Sequence, residues 1–199
     1  KKDATAKVLL ILYLILFIAT SFNPYERATW WAENIPIITI VIVLTVMYAK
    51  GINFSPLAYV LMSILIFLHT IGGYYTFERV PFGFVTDLFG FQRNHYDRVA
   101  HFTVGFYAYA IAELLYFRQL VKNKIMLFLF PVFSIATVAM GYELIEWIFA
   151  VTNGGSAGIA FLGSQGDVWD AQKDMLADTL GALAGALLFL WNNKKLTFK

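Results

Sequence analysis

The 199-residue sequence has no cysteine, only 3 histidines, and 14% charged residues. Without cysteine, disulfides, thiolate metal sites and a cysteine nucleophile are all excluded. So little charge excludes an ordinary water-soluble domain, where about 25% of residues are charged. Apolar residues take their place. They make up 59% of the chain, and the mean hydropathy is +0.66. A chain of this size cannot hide so much apolar surface from water, so lipid must solvate part of it. The pI near 8.7 does not imply nucleic acid, because the basic residues sit mostly in short segments beside apolar runs. The first run, residues 8–22, follows three lysines and has no small-residue cleavage site behind it. It reads as a retained helix rather than a cleaved signal.

Six apolar stretches stand out, roughly 8–22, 35–49, 57–72, 99–117, 125–150 and 175–191. Each is close to the ~20 residues that carry a helix across ~30 Å of hydrocarbon. They are too long, and too lacking in period-two alternation, for barrel strands. The expected fold is an all-α membrane protein: one integral domain over 1–199, a bundle of about six transmembrane helices. The first three spans read as plain, with Pro36 and Pro56 at helix starts, where proline is tolerated. An even number of spans puts both termini on one side. That side collects 10 of the 15 Lys and Arg residues, so the expected location is a cytoplasmic (inner) membrane with both termini cytoplasmic. The acids are distributed oppositely. Of 13, only Asp3 lies with the cytoplasmic segments, Glu113 falls within the fourth span, and 11 belong to the outer loops and helix ends. Two outer segments, 73–98 and 151–174, are long for so small a protein. Loops of that length are more often functional than not.

The residues able to carry chemistry form short clusters. At the entry to the fourth span, Asp97 and His101 are four apart and share a helix face, with Asn94 one turn earlier. That spacing suits two metal ligands, a carboxylate orienting a histidine, or an acid favoured by a helix start. Glu143 and Glu146, three apart, lie in a run that stays apolar to Val151. Acids at membrane depth face a protein interior and a partner, and two exceed the needs of one ion pair. Asp167, Asp170, Asp174 and Asp178 follow at spacings of 3, 4 and 4, one stripe if 167–191 is a single helix. Carboxylates stacked a turn apart repel, so Lys173, the arginines of 73–98, protons or a divalent cation must face them. His69, near the outer end of the third span, matches these groups in depth and side. Gly181 and Gly185 supply the small-xxx-small spacing that permits close helix packing.

Three polar strings carry a family resemblance. They are Gln92–Arg98 with His101-Phe102, Tyr142–Trp147, and Leu162-Gly163 through Gln165-Gly166-Asp167 into Trp169–Met175. Together with Asn23-Pro24-Tyr25 and His69…Thr76, they resemble the YjdF-type family of small bacterial inner-membrane proteins over nearly the whole chain. Asp97-Arg98-Val99-Ala100-His101-Phe102 and the pair Asp174…Asp178 are similar, more loosely, to elements of VanZ-like membrane proteins, with Asp178 where those carry Asn. The resemblance implies architecture and the location of a site; it supplies no reaction.

Three functions fit these residues. In the first, a metal-dependent enzyme, His69, Asp97, His101, Asp170, Asp174 and Asp178 supply ligands. Glu143 or Glu146 is the general base, and Arg93, Asn94 and Arg98 bind the substrate, a lipid or lipid-linked envelope precursor. Histidine and carboxylate ligands without thiolate suit Zn²⁺, Mn²⁺ or Fe²⁺, and the excess of carboxylates admits Mg²⁺ or Ca²⁺. The second is an ion-coupled transporter, against which stands the gathering of polar residues toward one face. The third is a lipid- or partner-binding module with a purely structural polar network. The oligomeric state is left open.

Overall fold

The computed structural model describes residues 2–153, 155, 158 and 162–198. The helices that can be bounded are α1 (Lys2–Ser21), α2 (Arg27–Ala49), α3 (Pro56–Tyr75), α4 (Gly83–Phe89), α5 (Tyr96–Val104), α6 (Tyr107–Phe117), α7 (Lys124–Asn153) and α8 (Asp170–Asn192), and the described residues hold no strand. Helices α1, α2, α3, α7 and α8, with α5 and α6 taken as one, are the six elements long and apolar enough to cross a membrane. Large apolar side chains such as Ile15, Ile18, Phe133, Val138 and Leu187 stand exposed on their outer faces, as a lipid-solvated bundle requires.

Several spans begin earlier than hydropathy places them, two of them in ways that matter for the site. α2 starts at Arg27 rather than near 35, and α8 at Asp170 rather than near 175. Glu33 and Asn34 early in α2 and Asp170 and Asp174 early in α8 are buried inside the bundle, and a hydropathy scale does not see their partners. Pro36, expected at a helix start, therefore lies well inside α2. The N-cap is instead Glu26, whose carboxylate accepts the amide N–H groups of Ala28 and Thr29. Pro56 does occupy the first turn of α3, behind the N-cap Ser55.

At one end, Phe54, Tyr59, Met62, Tyr109, Leu127 and Phe189 form a core against which Ala6 and Leu9 from the start of the chain and Leu196 and Phe198 from its end all pack. Both termini therefore lie at that end. The other end, called outer below, is organised by α3, α5, α7 and α8. Here the small-residue spacing of α8 finds its partner. A Cβ at Gly181 would collide with the carbonyl of Phe102, and one at Gly105 with the backbone of Gly181 and Ala182. The two helices therefore touch backbone to backbone, where only glycine fits. This contact falls where α5 passes into α6, and it presses the acids of α8 against the polar face of α5.

The first long outer segment has structure of its own. α3 runs on to Tyr75 and the seven-residue α4 follows. In the second, the Asn-Gly-Gly-Ser string falls partly outside the described residues, and 163–169 form the turn leading into α8.

Candidate functional site

Helix α5 brings Arg98 and an aspartate–histidine pair to the outer end, and the segment just before it brings Arg93. Arg93 and Arg98 converge on Asp170. Arg98 Nη2 donates to Asp170 Oδ1 at 2.5 Å, and Arg93 Nη1 donates to the same oxygen. Arg98 also bonds the Asp170 carbonyl at 3.0 Å and pairs with Asp174. Arg93 reaches the carbonyls of Ser164 at 3.2 Å and Gly163 at 3.4 Å. Asn94 is equally committed. Its side-chain amide donates to the carbonyls of Glu78 and Val80 at 3.0 and 2.8 Å, while its backbone exchanges two hydrogen bonds with the Gln165 side chain. The three residues expected to bind substrate thus direct their hydrogen bonds into the protein. They fasten the 163–169 turn and the 76–82 loop to the start of α5.

The aspartate stripe is shorter than the spacing implies. Asp167 precedes α8 rather than extending it, accepting from Lys173 Nζ at 2.7 Å and from the Trp169 amide at 3.1 Å. The Lys173 hydrogen bond, then that amide, holds its carboxyl below the usual range. Asp170, Asp174 and Asp178 are buried and follow one face of α8. Asp97 and His101 meet as their spacing predicts, with Asp97 Oδ1 3.6 Å from His101 Nε2. The same ring lies 3.8 Å from Asp174 Oδ1, and its Nδ1 lies 3.2 Å from Asp178 Oδ2. Asp97, His101 and Asp174 each offer an atom within 4.8 Å of the other two, a spread one metal ion can span.

A second group lies beside the first. Glu33 of α2 is buried, with Oε2 3.0 Å from His69 Nε2 and accepting a hydrogen bond from the Tyr142 hydroxyl at 3.2 Å. The consecutive glycines 72 and 73 make this possible. A Cβ on Gly73 would sit 2.9 Å from Glu33 Cβ, and one on Gly72 would strike the Phe77 ring, which folds back from a left-handed Thr76-Phe77 turn. Glu33, His69, Tyr142 and Glu146 share a narrow cavity with Asp97 and His101. His69 therefore faces the Asp97–His101 pair across the cavity rather than joining the three-atom group of ligands. Glu143, one turn before Glu146, lies within electrostatic reach of His101 and Asp174, and its Oε1 is buried with no hydrogen-bond partner among the described residues. Asp178 Oδ1 is in the same condition.

Sequence reasoning missed Glu33 and Tyr142. Pro36, read as a helix start, hid the signal: Glu33-Asn34 falls one turn before it, inside α2. The third histidine, His95, stands apart, its ring 4.4 Å from Phe91. Burial, then Arg93, Arg98 and Lys173, push its pKa down.

Charge does not balance at this end. Eight carboxyl groups (Glu33, Asp97, Glu143, Glu146, Asp167, Asp170, Asp174 and Asp178) gather around Arg93, Arg98, Lys173 and two histidines. Three stay unmatched even if both imidazoles are charged. Buried carboxylates without counter-charge are costly, so protons or a bound cation must supply the difference.

Comparison with known proteins agrees with this architecture. Inner membrane protein YjdF of Escherichia coli (strain K12) is 40% identical over 179 residues, covering 88% of this chain and 84% of that protein. No solved structure matches. The VanZ-like likeness rests on the sequence motifs alone. A family described as predicted membrane protein (DUF2238) matches residues 5–195, and with the inner-membrane relative it shows that the chain belongs to this family of multi-pass inner-membrane proteins.

Proposed function

We propose that the outer-end cluster is the active site of a divalent-cation-dependent hydrolase or transferase acting on a lipid or lipid-linked envelope substrate. The observation that carries this reading is the approach of Asp97, His101 and Asp174 ligand atoms to within 4.8 Å, in a cluster with more carboxylates than cations. Zn²⁺ or Mn²⁺ suits a histidine with two carboxylates, and Mg²⁺ or Ca²⁺ is the alternative. A cation there would supply Lewis acidity and a readily ionised water. Glu143, with a buried oxygen lacking a donor, accepts the proton of the attacking water and returns it to the leaving oxygen of the substrate. Glu146 lines the cavity beside Tyr142 and Glu33. Arg93, Asn94 and Arg98 act by positioning, holding Asp170, Asp174 and the 163–169 turn.

The site faces the extracytoplasmic side in this reading, because the end that carries both termini collects most of the lysines and arginines. Reporter fusions to the C-terminus test it: a cytoplasmic fluorescent protein should glow and a periplasmic phosphatase stay silent. Elemental analysis of purified protein tests the cation. About one divalent ion per chain is expected, lost at least tenfold in Asp174→Asn. Folded wild-type protein that takes up none of Zn²⁺, Mn²⁺, Mg²⁺ or Ca²⁺ by calorimetry would remove the metal-dependent reading.

The double arginine clamp on Asp170 favours a second reading, a structural polar network without catalysis. Its mark would be amide substitutions at Asp97, Asp174 and Asp178 that change thermal stability and leave cation content untouched. Ion-coupled transport is less well supported, because between the outer cluster and Glu113 the α6–α8 contact is built from Ala108, Ala182 and Ala186, with no polar relay among them.

A further inference from the structure

The first three helices take no part in the cation reading apart from Glu33 and His69, yet they enclose a site of a different kind. α1 and α2 both pack on α3. Near the outer end they also meet each other, through Phe17 and Trp30 at 5.3 Å, and Tyr13, Ile37 and Ile66 form a cluster about midway along the helices. Toward the end that holds the termini they diverge around α3, leaving an apolar groove of about 120 Å³. Leu10, Val41, Leu44 and Phe67 line it, with exposed Lys7 at its rim and Tyr13 along its wall. An apolar space of this size holds no ordered water and accepts an apolar guest. Within a membrane, the guest at hand is an acyl chain.

Of the polar residues along the groove, Tyr13 and Lys7 give it a chemical preference. Tyr13 is only 5% exposed, and its hydroxyl is buried with no hydrogen-bond partner among the described residues. A buried donor without an acceptor is unfavourable, and a ligand oxygen removes the penalty. Lys7 lies six residues earlier on the same helix, about 9 Å along the axis, where a lysine at a membrane boundary extends toward the headgroup layer. We infer that this groove binds one glycerophospholipid from the leaflet at the termini's end. Its phosphate lies against Lys7, an ester carbonyl accepts from Tyr13, and one chain lies along Leu10, Val41, Leu44 and Phe67.

Native mass spectrometry of the full chain, delipidated and then given dioleoyl-phosphatidylglycerol, tests this. Wild-type protein should retain one phospholipid per chain at detergent levels that strip surrounding lipid. Leu44→Trp fills the groove and should cut retention at least tenfold. Tyr13→Phe keeps the shape and removes only the donor, so retention should fall several-fold while the delipidated protein melts no lower than wild type. Lys7→Ala should also weaken retention several-fold, and more for the phosphatidyl lipid than for the uncharged diacylglycerol. Retention by Leu44→Trp equal to wild type would overturn the assignment. So would equal retention of the two lipids, or a dimer mass without lipid, which would mean that a second chain fills the groove. None of these readouts depends on the outer site, so a cation-free protein leaves this inference standing.

Discussion

Each end of the bundle buries carboxylates, and the two ends treat them differently. At the termini's end, Glu113 of α6 is 5% exposed and fully partnered, accepting the Ser55 amide N–H at 2.6 Å and the Ser55 hydroxyl at 2.5 Å. The same serine hydroxyl accepts from the Ala58 amide and caps α3. One acid, two donors and one helix start form a closed set that joins two spans. About 21 Å away along α3, around His69, the outer end gathers eight carboxyl groups, and Glu143 and Asp178 each keep a buried oxygen without a donor. A buried acid whose donors are all present is explained by folding. A surplus of acids is not, because each unmatched carboxylate destabilises the apo bundle. That difference is why the outer end, and not Glu113, is the candidate site.

The largest effect should come from the contact that builds the outer end. Gly181→Val forces a side chain into the backbone of α5, and overpacking on this scale costs about 3 kcal/mol or more. The variant should lose the monodisperse peak in detergent size-exclusion chromatography, whereas Gly141→Val, at a glycine with open space around it, should keep it. Next in size is Glu113→Leu, which strands the Ser55 amide and hydroxyl and should cost about 2–4 kcal/mol by thermal unfolding, from two charge-assisted hydrogen bonds. Glu143→Gln should move the other way or not at all. In cation-free protein it replaces a buried acid whose Oε1 has no donor, for a gain of up to about 1 kcal/mol. If Glu143→Gln and Glu113→Leu destabilise alike, the distinction between partnered and surplus acids fails.

How far this contrast was legible in the sequence depends on the element. The six spans were legible because lipid imposes length and apolarity on each helix separately, a local constraint. The pairing of Asp97 with His101 was legible because four residues on a helix is one turn. Gly181 and Gly185 announced a close contact without naming Gly105 as the partner. The convergence of Arg93 and Arg98 on Asp170 joins residues more than 70 positions apart, and nothing local encodes it. Glu33 was hidden for a further reason. Its turn of α2 is polar, so a hydropathy window ends the helix at Pro36, although Gly73 makes room for the glutamate and His69 and Tyr142 receive it. Asp167 erred in the opposite sense: its spacing continues the α8 stripe, but the helix begins at Asp170.

The smallest expected effect tests whether the surplus reaches the aqueous rim. Asp167 and Lys173 pair at 2.7 Å, with the lysine side chain 52% exposed. Asp167 binds its proton less tightly in the folded protein than in the unfolded chain, because the Lys173 hydrogen bond favours the carboxylate. Its contribution to stability is therefore complete above the ordinary aspartate value, roughly pH 4, and is lost as pH falls through the lower folded-state value. Lys173→Met should lower the melting temperature slightly at neutral pH, and the difference from wild type should shrink on acidification. It should also shrink in about 1 M salt, where the screening length is roughly 3 Å. A difference that persists in salt would mean that Lys173 compensates the buried acids beyond Asp167. The unmatched charge at the outer end would then extend to the membrane surface rather than ending at the arginine clamp.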